Sequence, residues 1–183
     1  MRISKALFLV PILFILFGCS HSNTYGPYFG KVIDIETKEP IEGAAVLVVF
    51  YTNEPGPAGS ITRYADAVET VTDKNGEFRM PAHRVTSRRF LYLLENYGHF
   101  TIFKPGYGCY PMHKGVRPMF VPNGTLPPRQ YVTIELPRLR TKDERLENQR
   151  CEPILIPKEK YKRFLIILND ERKSLGLESE PLQ

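Results

Sequence analysis

Ala6 to Phe17 is an almost unbroken apolar run of about 12 residues, preceded by Arg2 and Lys5 and closed by Gly18-Cys19. Crossing the hydrocarbon core of a bilayer takes roughly 18 to 20 such residues, and Pro11 removes a backbone donor inside the run. A short positive segment, a short apolar segment and a small residue make an export signal rather than a permanent span. The folded body is therefore expected from the residues after position 18.

Leu16-Phe17-Gly18-Cys19 resembles the lipobox of bacterial lipoproteins: an aliphatic residue, a loosely restricted one, a small one, then cysteine. Phe17 is bulkier than that pattern usually carries. The resemblance implies cleavage between Gly18 and Cys19 and lipidation of the Cys19 thiol, so that N-terminal acyl chains hold the protein to a membrane. Each buried methylene is worth about 0.8 kcal/mol, and two or more chains anchor stably. Ser20 stands where lipoproteins kept in the inner membrane often carry Asp. In a Gram-negative host that implies an outer membrane lipoprotein facing the periplasm. The alternative is an ordinary signal peptide or anchor with a coincidental cysteine.

Removing Arg2 and Lys5 with the signal takes the 25 basic residues to 23 against 20 acidic, a net +3. That balance is too weak to suggest nucleic acid, and no basic run is interleaved with aromatics. With Cys19 acylated, Cys109 and Cys151 are the thiols an oxidising compartment would join as a disulfide; the alternative is two separate buried thiols. Cys109 with His113 makes a poor metal site, because His21, His83 and His99 are scattered and the usual metal-ligand spacings are missing.

Strand signals follow a polar stretch, His21 to Tyr25, which reads as part of a lipidated tether over 19–27. Tyr28 to Ile35 is rich in β-branched residues, Ala45 to Tyr51 is apolar throughout, and Tyr131 to Leu136 alternates. Arg63 to Thr72, Glu77 to Met80 and Phe100 to Lys104 are further strands, while Arg88 to Leu94 fits strand or helical turn. Asn53 to Ser60, with two Gly and two Pro, reads as a loop. Asn75-Gly76 is a hairpin signal, since both residues tolerate positive φ. Gly108 to Gln130 carries prolines at 111, 118, 122, 127 and 128 and reads as a long irregular loop, functional or mobile.

After Pro137 the period changes. Thr141-Lys142-Asp143-Glu144 has the spacing of a capping box. A second helix is expected from Pro157, with Tyr161, Phe164, Leu165, Leu168 and Leu175 on one stripe and Gly176 as its stop. The stripe suits packing on the strands; the alternative is a dock for an envelope assembly.

Gly30-Lys31-Val32-Ile33-Asp34, Thr37, Pro40-Ile41, Gly43-Ala44 and Val46 resemble carboxypeptidase regulatory-like domains. Thr72 to Phe78 and Lys104-Pro105-Gly106-Tyr107 continue the pattern in order. The resemblance covers roughly Tyr28 to Leu136. It implies a mainly β fold, a transthyretin-like antiparallel β-sandwich of about seven strands, here with a C-terminal helical extension. The organisation expected is a signal peptide over 1–18, the tether over 19–27, the sandwich over 28–137 and the extension over 138–183. The zinc-binding peptidase domain of carboxypeptidases has no counterpart in the chain. The matched residues have structural roles, so the match speaks for fold and not activity.

No nucleophile elbow, phosphate loop or dinucleotide fingerprint occurs. Asp66 and Glu69 would face opposite ways on a strand, and Asp73 with Asn75 suits a turn better than calcium. The expectation is a membrane-anchored, non-catalytic binding or scaffold module of the cell envelope, without catalytic residues, metal or cofactor. Its partner would be an envelope protein, a peptide or a glycan, met by Tyr107, Tyr110 and Phe120. The alternatives are an envelope-assembly subunit docking through the C-terminal helix and a periplasmic enzyme using His99 or His113.

Overall fold

The structure, a computed structural model, describes residues 21–57, 59–87, 93–118, 120 and 124–182. The signal peptide expected over 1–18, with Gly18 and the expected acylation site Cys19, lies outside the described residues.

The fold is mainly β, with nine strands among the described residues rather than about seven, and two helices at the C-terminal end. Strand β3 (Ala45–Gly56) organises it. Its odd positions Ala45, Leu47 and Val49 and its even positions Val46, Val48 and Phe50 are all buried. Successive side chains on a strand point to opposite faces, so an apolar run with no alternation must be covered on both.

On one edge β3 pairs antiparallel with β4 (Gly59–Val71). On the other it pairs with β7 (Leu93–Leu94) and β8 (His99–Phe103). A second sheet has the order β5 (Glu77–Met80), β2 (Tyr28–Asp34), β9 (Tyr131–Leu136). β2 and β9 run parallel, Phe29 opposite Tyr131 through Asp34 opposite Leu136. The strands are therefore not all antiparallel, because β9 reaches β2 by a long crossover. At that pair a Cβ on Gly30 would overlap the Val132 carbonyl, so glycine lets the two backbones meet.

The inward faces of the two sheets enclose the main core: Val46, Val48, Phe50, Phe100 and Ile102 against Val32, Phe78, Met80, Val132, Ile134 and Leu136. The outer face of the β3 sheet is covered by helix α2 (Lys162–Leu175). Phe164, Leu165 and Leu168 lie on Ala45, Leu47, Val49, Ala67 and Phe103. The stripe expected as packing or as a dock is thus packed inside the molecule. Tyr161 gives α2 no side-chain cap. Glu69 of β4 supplies one instead, accepting from the amides of Arg163 and Phe164 at 2.9 and 3.0 Å; free amides and the helix dipole both favour a carboxylate there. Gly176 ends the helix at φ 79°, the left-handed cap that glycine adopts without strain. The preceding helix α1 (Lys142–Glu147) has the expected capping box between Thr141 and Glu144.

Three sequence expectations need correction. His21–Tyr25, read as tether, is strand β1, paired antiparallel with β6 (His83–Ser87). Its polar side chains hid a strand whose hydrogen bonds come from the backbone of β6, with which it forms a separate two-stranded sheet. Asn53 to Ser60, read as a loop, is the tip of a two-stranded ribbon, because the β3–β4 ladder continues to Gly56 opposite Gly59. Asn75-Gly76 turns the chain as expected, with Gly76 at φ 72°, but joins no hairpin: β4 pairs with β3 and β5 with β2. The Thr72 amide donates to the Ala44 carbonyl and the Gly43 amide to the Thr72 carbonyl, while the Val32 amide donates to the Gly76 carbonyl, so the turn carries the chain from one sheet to the other.

Asp34 ties down the end of the sandwich opposite the ribbon. It is 1% exposed and accepts from the amides of Glu36 and Thr37, the Tyr107 hydroxyl and Arg138 Nε at 2.8 to 3.3 Å. Burial alone would raise its pKa; the four donors outweigh it and hold the carboxyl below its ordinary value. A depressed folded pKa stabilises the fold above the unfolded carboxylate pKa of about 4, and the contribution is lost as pH falls through the folded value. Asp34→Asn should lower stability at pH 7 by about 1–3 kcal/mol and flatten the acid arm of the stability profile. Denaturant melts from pH 7 to 2 check both; an unchanged acid arm would show that Asp34 is not a titrating tie.

Candidate functional site

The segment Gly108 to Gln130 and the C-terminal extension meet. Tyr110 bridges to Ile102 and Arg117 to Glu135, while the Arg129 amide donates to the Pro27 carbonyl. Val116 and Leu126 are buried in the main core. Its described residues are thereby tied to the sheet edges and the core at several points, irregular as expected.

The three aromatics expected as surface contacts fare differently. Tyr110 is fully buried, its hydroxyl donating to the Thr125 carbonyl at 3.1 Å, and burial pushes its pKa to about 12. It is a core residue and not a contact. Tyr107 is half-buried, its ring under the Arg138 guanidinium at 5.2 Å and its hydroxyl on Asp34. Phe120 is half-buried against the main core. Loop position alone suggested exposure for all three; the Tyr107 and Tyr110 hydroxyls each found a distant acceptor, Asp34 and the Thr125 carbonyl, while Phe120 packs on the apolar core.

Cys109 and Cys151 are joined as a disulfide, 42 positions apart, with Cα atoms 6.3 Å apart. Beside it, Asn148 accepts from the Cys109 amide and donates to the Tyr107 carbonyl, both at 2.9 Å. Together they pin α1 and the 3-10 turn Asn148–Cys151 to the start of the irregular segment.

Between them lies a cleft of about 560 Å³ lined by Met112, His113 and Lys114 on one side and Glu144, Glu147, Asn148, Arg150 and Cys151 on the other. The His113 ring accepts from the Gly115 amide through Nδ1 at 3.0 Å, which leaves the proton on Nε2. Its ring lies so close to Gly108 that a Cβ there would approach it to 2.7 Å. The Glu144 carboxylate accepts from the amides of Thr141 and Arg140, which hold its pKa below the ordinary value. The cleft offers cationic and anionic groups and the exposed thioether of Met112 on rigid backbone, a set that can hold a polar, peptide-like chain by hydrogen bonds. Sequence reading missed it because its walls come from segments about 30 residues apart; the Thr141 capping box was the one local signal nearby.

The remaining candidates serve the fold. His99 and His113 are not brought together. His99 Nε2 lies 2.7 Å from Glu95, whose other oxygen accepts from Asn53, and its ring meets the edges of Tyr51 and Tyr97. Asp66 bonds His83 and Lys160 at 2.9 and 2.8 Å, while Glu69 caps α2 on the other face. Asp73 accepts from the amides of Asn75 and Glu77, a plain turn. Among the described residues no three His, Cys, Asp or Glu side chains are grouped to hold a metal ion.

A 42-residue closed loop should contribute about 4 kcal/mol in the chain-entropy account. Cys109→Ser with Cys151→Ser should lower unfolding stability by about 2–4 kcal/mol in denaturant melts, with the far-ultraviolet spectrum of the sandwich kept; unchanged stability would mean that the bridge constrains little.

No protein-family model, curated protein or solved structure matches this chain.

Proposed function

We propose that the protein is a membrane-anchored lipoprotein of the cell envelope, held by acyl chains on Cys19. Its sandwich is a non-catalytic binding or scaffold module facing the periplasm from the outer membrane. The observation that carries the reading is the shortness of the connection. Cys19 stands two positions before His21, where β1 begins, and two residues reach at most roughly 7 Å. A cysteine in the lipobox register, followed at once by a folded strand, suits a domain kept against the head groups. The Cys109–Cys151 disulfide fits an oxidising compartment. The C-terminal helix is spent on the core, so the cleft beside the disulfide is the better surface for an envelope protein, a peptide or a glycan.

We read the sandwich itself as a carboxypeptidase regulatory-like, transthyretin-like domain. The residues of that pattern have the structural work such a domain needs: Gly30 at the β2–β9 approach, Asn75-Gly76 at the crossing between sheets, and Tyr107 over Asp34 at one end. None of these roles is catalytic.

Cys19→Ala should accumulate as an uncut precursor and label with no fatty acid, while the native protein partitions with outer membranes and takes up radiolabelled palmitate. Release of a mature soluble form by the variant would refute the anchor. For the binding role, a photo-reactive residue at Lys114, on the cleft wall, should yield discrete adducts in intact cells. The same residue at Leu182, outside the cleft, should not; equal yields at both would sink the cleft as the contact surface.

A further inference from the structure

The end of the sandwich that carries His21 also carries the β3–β4 ribbon. The Tyr25 ring lies tilted against Phe50 with centroids 4.3 Å apart, and its hydroxyl donates to the Glu95 carbonyl at 2.5 Å. From that level β1 runs back toward His21, packed beside β7, which pairs with β3 at Thr52 and Asn53. There the ribbon leaves the body, continuing to Gly56 opposite Gly59. His21, two positions after Cys19, is the first residue of this strand. The cleft lies at the other end of β3: Tyr110 bridges Ile102, which pairs with Val46, eight positions or ~27 Å from Glu54.

The ribbon tip differs chemically from the rest of the surface. Charged residues make up 25% of the chain, yet none occurs from Pro55 to Thr62. Ile61 and Leu93 are exposed at 47% and 60%. Leu93 lines a shallow depression of about 360 Å³ with Asn53, Pro55, Gly56, Gly59 and Ser60. Among the described residues, Glu54 and Arg63 face each other beside the tip at 3.8 Å, and the Glu95 carboxylate next to Asn53 is nearly buried and bonded to His99. An exposed apolar surface without charges costs nothing in ion desolvation when it meets lipid. The β3 edge beyond Asn53 has no strand partner among the described residues. Free backbone groups are not tolerated in hydrocarbon, which limits the tip to the head-group and upper acyl region.

The geometry points to a second membrane contact: the ribbon tip, with Ile61 and Leu93, seats in the interface of the bilayer to which Cys19 is tethered. The inference rests on the lipoprotein reading. Its occupant is the lipid surface, chosen because the chain outside the described residues ends at an acylated cysteine at most ~7 Å from His21. A lipid chain pair plus a seated tip fixes both position and tilt, and turns the cleft away from the membrane.

The chain contains no Trp, so a single introduced Trp reports one position. Ile61→Trp, Leu93→Trp and, as the distal control, Met112→Trp would each be made in the full-length lipidated protein. Each would be reconstituted in phosphatidylethanolamine/phosphatidylglycerol vesicles with and without brominated acyl chains. We expect bromolipid to quench Ile61→Trp and Leu93→Trp at least twofold more than Met112→Trp, with a blue-shifted emission at the first two. Vesicle flotation reads the anchor separately. Protein that floats but shows equal quenching at all three positions overturns the seating while the anchor stands; protein that fails to float overturns both. Near-ultraviolet spectra matching the parent establish folding, and the two ribbon-end variants must agree for the seating to hold.

Discussion

Strand β3 has apolar side chains on both faces, and each face starts a different core. Val46, Val48 and Phe50 meet the second sheet, while Ala45, Leu47 and Val49 meet helix α2. An ordinary antiparallel strand at the surface of a sandwich can leave one face to water; this one cannot. The need to cover its outer face explains why the chain continues past β9 into an extension. Phe164, Leu165 and Leu168 meet that need, and Glu69 fixes where α2 starts.

The ends of the sandwich are finished by different chemistry. Asp34, Tyr107 and Arg138 close one end with a buried carboxylate and its donors, near where α1 and the disulfide hold the irregular segment. The other end is finished by β1, β6 and the ribbon, with few charges and two exposed aliphatic side chains. Under the proposed anchoring, this asymmetry would turn the end with few charges toward lipid and the polar cleft away from it.

Rigidity is what the irregular segment lends to the cleft. Among its described residues, the Tyr110 and Arg117 amides donate to Ile102 and Glu135, Gly108 to Pro137, Cys109 to the Asn148 side chain and Arg129 to Pro27. Tyr110 anchors it from within. The cleft residues therefore sit on backbone held at several points, so binding there would require little ordering of the chain.

Much of the fold was legible because the deciding interactions are local. The alternation of Val132, Ile134 and Leu136, the Thr141–Glu144 capping box and the Gly176 stop each fit within one element, and each has the structure its pattern implies. The apolar run of Ala45 to Tyr51 also announced a strand covered on both faces. What could not be read locally were pairings with distant partners. His21–Tyr25 is a strand only because β6 presents an edge; Asn75-Gly76 crosses between sheets because β5 finds β2 rather than β4. Tyr110 is core because Thr125 receives its hydroxyl, and the cleft exists because a disulfide and Asn148 draw together walls about 30 residues apart. Periodicity and capping are properties of neighbours in the chain, so the sequence by itself determined the elements and the strand-then-helix class. Register, sheet membership and the site depend on which distant backbone edge and side chain satisfy each group, and only the tertiary structure decided those.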